Sequence, residues 1–142
     1  MGCRVDFEVL SLDEAGSDER GDSYVLPRRA LEFLGSFEHV HVTTIRPGHV
    51  RGNHYHAGRR ELILVLARDA WSAHWDNGED GSCTCRELSG GAFALVIPPN
   101  VSHAIQNDGN QDIWLAAVTS EKFDPQNPDA IRRIVTRKGS AA

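Results

Sequence analysis

Seven histidines punctuate this 142-residue chain, and three of them (His49, His54 and His56) fall within eight residues. Neutral imidazole is the commonest side-chain ligand for transition metals and titrates near neutral pH. His54 and His56 stand two apart. On a β-strand, residues i and i+2 point to the same side, so the pair forms a pincer for one ion. Glu61 follows after a short turn through Ala57 and Gly58, and can present a carboxylate to the same interior from the next strand. His103, starting a later strand after the Pro98-Pro99 corner, supplies a third imidazole. Three imidazoles and one carboxylate suit a divalent transition metal such as Zn, Fe, Mn, Ni or Co. Four protein ligands on a six-coordinate ion leave positions open for substrate or water. A ligating nitrogen cannot also act as a base. If His54 and His56 hold a metal, proton transfer falls to another side chain, with His41, Tyr24 and Tyr55 as candidates.

Arginines crowd the same stretch. Arg51 and Arg46 are candidates for binding a phosphate or carboxylate of the substrate, and Arg59 is a weaker one. Trp71 and Trp75 could stack on a sugar or base ring, or else fill the core. His39 and His41 share a face with Thr43 and could line a cavity. His74 reads as a polar strand residue and His49 as a solvated loop residue. Cys83-Thr84-Cys85 reads as structural, because Cys3 is far away in sequence.

These residues need strands to hold them, and the chain supplies strand signals throughout. Alternation of period two starts near Glu38. Glu61 to Ala67 is a continuous apolar run, Ala70 to Asp76 alternates with Trp71, Ala73 and Trp75 on one face, and further strands follow over 92–97, 102–107 and 112–120. Pro47-Gly48, Asn77-Gly78, Ser89-Gly90-Gly91, Pro98-Pro99-Asn100 and Asn107-Asp108-Gly109 mark turns. Many short strands with Gly, Pro and Asn breaks predict an all-β sandwich or barrel. The one helical signature is 27–35, with Pro27 at its start, Ala30, Leu31 and Leu34 on one face and Gly35 at its stop. Residues 11–23 read as an acidic loop between two short strands.

The composition bounds the function. About 40% hydrophobic and 25% charged residues suit one globular domain. A net charge of −5 lacks the basic footprint of nucleic-acid binding. No apolar run approaches the length of a membrane-spanning helix. An odd cysteine count without a signal peptide points to the cytoplasm rather than a secreted disulfide scaffold.

Gly48-x5-His54-x-His56-x4-Glu61 resembles the first cupin motif, and Pro98-x-Asn100-x2-His103-x3-Asn107 resembles the second. The resemblance implies a double-stranded β-helix, or jelly-roll barrel, with His54, His56, Glu61 and His103 lining its mouth. The core would span about 38–120, with an N-terminal extension over 1–37 and a tail over 121–142. Arg68 stands where the first motif closes with Gly, and Asn100 where the second has Gly. Gly91 lies one residue further from Pro98 than usual. None of these departures touches a candidate ligand. Asp18-Glu19-Arg20-Gly21 is similar to a turn near the start of sugar-nucleotide epimerases and 3,4-ketoisomerases of the dehydrorhamnose-epimerase type. The stretch from Arg51 to His56, with Phe123-Asp124-Pro125-x2-Pro128-Asp129, resembles the cupin domain of capsular-polysaccharide biosynthesis enzymes. The ketoisomerases tend to carry Gln at the position of Glu61 and work without metal. By that analogy His54 or His56 becomes the base if no metal binds, whereas Glu61 tilts this chain toward the metal-binding kind.

The expectation is a metal-dependent enzyme that epimerises or isomerises a keto-sugar nucleotide. The alternatives are an Fe- or Ni-dependent dioxygenase and a non-enzymatic module that binds a small molecule. Cupins of this kind commonly dimerise through sheet packing or exchange of an N-terminal strand, so a homodimer is expected.

Overall fold

In the computed structural model, residues 6–77, 81–122, 124–126 and 128–137 are described. Ten strands and one helix follow in the order β1 (Glu8–Ser11), β2 (Asp13–Asp18), β3 (Gly21–Val25), α1 (Arg28–Leu34), β4 (His39–Ile45), β5 (Val50–His56), β6 (Glu61–Asp76), β7 (Cys83–Ile97), β8 (His103–Asn107), β9 (Ile113–Thr119) and β10 (Ala130–Arg132). Every pairing is antiparallel. The architecture is the all-β jelly roll expected from the sequence.

The 16-residue β6 is the backbone of the barrel. It pairs with β7 along its length, while its first part pairs with β9 and its second part with β8. The register breaks between Ala67 and Ala70, where the strand bends from one sheet into the other. The Asp69 carboxylate braces this bend by accepting the amides of Ala70 at 2.8 Å and Asn110 at 3.0 Å. The sequence reads 61–67 and 70–76 as separate strands, and the bulge makes them one. The Ser89-Gly90-Gly91 signal likewise falls inside β7. Gly90 and Gly91, at φ +64° and +88°, bend that strand rather than end it. Gly78 of the expected Asn77-Gly78 turn lies outside the described residues, as do Cys3 and Phe123.

Period-two alternation fills the space between the sheets with Ile45, Ile63, Val65, Trp71, Ala73, Leu95, Ile97, Ile105, Ile113 and Leu115. A second cluster lies on an outer face, where Ala30 and Leu34 of α1 meet Leu10, Leu62, Ala94 and Val96. The 27–35 helix therefore forms as expected, but Leu31 points to solvent and the i, i+4 pair Ala30 and Leu34 is what packs. Residues 13–25 form the exposed hairpin β2–β3 where the sequence reads mostly loop. Its residues bury no side chain, so no hydrophobic pattern announces them. The tail contributes a strand, β10, that pairs with β5.

One close approach sets the geometry around the donor residues. Strand β5 bulges between Gly52 and His54, and His54 then stands opposite His103 on β8. Gly52 has φ +112°, and a Cβ there would lie 2.6 Å from the carbonyl oxygen of His103. Only glycine allows both the conformation and the contact. Asn53 follows at φ +57°, its side-chain oxygen accepting the amides of Val135 and Thr136. We predict that Gly52→Ala lowers the unfolding free energy by about 3 kcal/mol. Gly16→Ala, in open space on the hairpin, changes it by less than about 0.5 kcal/mol. Urea unfolding monitored by tryptophan fluorescence measures both.

Candidate functional site

Four strands bring the candidate donors into one cavity of about 520 Å³. His54 and His56 close β5, Glu61 opens β6, His103 opens β8, and β4 contributes His39, His41 and Thr43. Ile63, Ile105, Leu115 and Ala117 supply apolar wall. Pro128, Asp129 and Ala130 border the cavity from the tail.

The donor atoms of His54, His56 and Glu61 all lie within 4.8 Å of one another. His103 stands just outside that group, with its ring centre 5.1 Å from that of His54 and 6.2 Å from that of His56. His103 Nε2 lies 3.2 Å from Glu61 Oε1, and His56 Nε2 lies 3.5 Å from Glu61 Oε2. Glu61, His56 and His103 are buried.

The hydrogen bonding of His103 fixes its chemistry. Nδ1 lies 3.0 Å from the carbonyl oxygen of Val101. A carbonyl only accepts, so Nδ1 carries the proton and Nε2 of the neutral ring presents a lone pair. That lone pair is buried without a hydrogen-bond partner, close to a carboxylate but not aligned with it as a donor. His56 Nδ1 is also buried without a partner. Two electron pairs facing each other favour a cation or a hydrogen-bond donor between them. The donor set of imidazole and carboxylate fits a divalent first-row ion. The orphaned Nε2 of His103 beside Glu61 is the structural reason to place one there.

The electrostatics agree. Burial, reinforced by His103 and His56, pushes the pKa of His54 down to about 4, and the attraction of Glu61 does not offset this. His54 is therefore neutral at pH 7 and can donate its lone pair. For Glu61, burial opposes ionisation. The neighbouring His103 and His56 rings outweigh it and hold the carboxyl well below the usual range.

The other sequence candidates divide. His41 lines the cavity, with its ring centre 5.4 Å from that of His39. Arg51 borders it, but is exposed and donates Nε–H to Thr44 O at 2.7 Å. Arg46 is exposed outside the lining. Tyr55 alternates with its histidine neighbours and does not face the cavity, which corrects its candidacy as a base. Tyr24 sits exposed on the hairpin, away from the cavity, and is corrected likewise. Trp71 and Trp75 do not bind in the cavity either. Trp71 is fully buried, donates Nε1–H to Gly90 O at 3.3 Å and meets Phe93 edge-on, while Trp75 stacks on Phe7 at 4.4 Å. Their period-two face turned inward to the core, the commoner fate of large rings. His39, Arg59 and Asp129 also line the cavity. His39 follows from the β4 alternation. Arg59 and Asp129 lie in irregular segments, where no periodicity reports burial.

The family model described as the polysaccharide biosynthesis C-terminal domain matches residues 17–131. No curated protein matches the chain. Among solved structures, the capsular polysaccharide assembling protein CapF from Staphylococcus aureus is similar at 25% identity and a TM-score of 0.63, over 87% of this chain and 33% of that one. The chain thus spans about a third of CapF. A dTDP sugar isomerase from Desulfovibrio desulfuricans aligns at 16% identity and a TM-score of 0.75, over 96% of this chain and 92% of that one. A variant of the 3,4-ketoisomerase QdtA from Thermoanaerobacterium thermosaccharolyticum, solved with TDP-4-keto-6-deoxyglucose, aligns at 15% identity and a TM-score of 0.66, over 92% and 90% of the two chains. The cupin jelly roll is common to all of them. The family match takes in the helix, strands β3 to β9 and every candidate donor, and the chain accordingly belongs to the polysaccharide biosynthesis C-terminal domain family.

Proposed function

We propose that the chain is a metal-dependent isomerase or epimerase of a nucleotide-linked keto sugar. The observation that carries this reading is the buried Nε2 lone pair of His103 beside the Glu61 carboxylate, with His54 and His56 completing the donor set. The family's place in polysaccharide biosynthesis, and the sugar-nucleotide ligand of the structurally similar QdtA, support the substrate class.

His54, His56, Glu61 and His103 would hold the ion. When bound, a divalent cation polarises a carbonyl oxygen as a Lewis acid. The chain supplies the rest. His41, from β4, takes the proton from the carbon beside the carbonyl. It returns that proton on the same face to the former carbonyl carbon, which shifts the keto group; inversion at one carbon would need a second acid on the opposite face. The apolar wall of Ile63, Ile105 and Leu115 keeps bulk water from quenching the carbanion-like charge.

Metal content and proton exchange test this together. Purified protein should carry about one transition metal ion per chain, and Glu61→Ala should lose most of it. Incubated with TDP-4-keto-6-deoxyglucose in deuterated water, the loaded protein should exchange the proton beside the carbonyl, as followed by NMR. Full exchange after chelation would overturn the metal and return the base role to His54 or His56. His41→Asn should slow exchange by about 100-fold or more without changing metal content. Unchanged exchange would remove His41 from the mechanism.

We also propose a homodimer. Val40, Val42, Leu66 and Trp114 are each at least half exposed and lie on one outer sheet face formed by β4, β9 and β6. Such a face favours self-association. Sedimentation should give a dimer at micromolar concentration and a shift toward monomer for Trp114→Arg. A monomeric wild type would refute this.

A further inference from the structure

We propose that Arg59 is the oxyanion receptor of the cavity and grips the diphosphate of the nucleotide-linked substrate. The inference rests on the sugar-nucleotide reading above and names a residue for it.

Among the described residues Arg59 is the only buried arginine, at 7% exposure, and it lines the cavity. A guanidinium carries five N–H donors and stays charged at any relevant pH. Burying it is costly unless those donors find acceptors. The structure gives Arg59 one hydrogen bond, from Nε to Asp129 Oδ2 at the long distance of 3.5 Å. Asp129 is itself engaged elsewhere, since its two oxygens accept the amides of Ala57 at 3.2 Å and Gly58 at 3.1 Å. It steadies the Nε edge of the guanidinium, and among the described residues no acceptor engages the four N–H groups of the Nη pair. That fork matches two oxygens of a phosphate or carboxylate.

The neighbouring arginines do not share this arrangement. Arg60 is exposed and donates to the Leu34 carbonyl oxygen at the end of α1. Arg51 is exposed and spends its Nε on Thr44 O. Position matters as much as burial. The charge of Arg59 is felt at His54, and its partner Asp129 belongs to the segment bordering the cavity. An anion held there would share one cavity with the donor cluster and the 128–130 border.

Calorimetric titration tests the assignment. The ligands are UDP, TDP, inorganic pyrophosphate and, as the carboxylate source of the same chemistry, glucuronate. The proteins are wild type, Arg59→Met, Arg59→Lys and Arg68→Met, the last removing an equal charge outside the cavity. Wild type should bind the diphosphates more tightly than glucuronate. Arg59→Met should weaken diphosphate binding by about 10- to 100-fold, and Arg59→Lys, which keeps the charge but loses the fork, by less. Arg68→Met should change it by less than about twofold. Metal content and melting temperature, measured on the same samples, separate loss of the receptor from loss of the donor cluster or of the fold. If Arg59→Met misfolds, Arg59→Lys decides alone. Wild-type and Arg59 variants that bind diphosphate equally, or a wild type that binds none, would overturn the proposal even with the metal in place. Tighter binding of glucuronate, lost in Arg59→Met, would overturn the diphosphate as occupant.

Discussion

A carboxylate and an imidazole lone pair, buried 3.2 Å apart, cannot both keep their electrons to themselves. A cation or a hydrogen-bond donor between them makes the approach favourable. The barrel is built to maintain this approach. The Val101 carbonyl fixes the tautomer of His103, Gly52 lets β5 come against the backbone of His103, and the first residue of β6 supplies the carboxylate. Each of these is a backbone decision, so the site is specified by strand register before any side chain chooses a rotamer.

Much of this was legible in the sequence because strands impose a period of two. That period put His54 and His56 on one side, turned Trp71 and Ala73 inward and set His39, His41 and Thr43 on one face of β4. Glu61 and His103 were legible as donors because each sits beside a turn that starts a strand. The spacing of the cupin motifs added the expectation that these turns share one end of a barrel, and the structure agrees.

The rest was hidden for physical reasons. A bulge leaves no composition signal, so Arg68-Asp69 looked like a break in what is one strand. A two-stranded hairpin with every side chain exposed has no buried face, so residues 13–25 looked like loop. Arg59 looked like one of several solvated charges because its burial depends on residue 129, which lies far along the chain and carries no periodicity. Tyrosine and tryptophan were overvalued by residue type. Tyr55 shares a strand with two donors but, one residue off in a period of two, faces the other way.

Strand β5 lies between two partners recruited from distant parts of the chain, β8 on one side and β10 on the other. Both connections close large loops, whose ordering cost must be met before these pairings form. The donors acquire their spacing when β5 pairs with β8. An ion captured by all four residues would mark a finished barrel, and its binding energy would act on the completed state rather than guide the chain toward it.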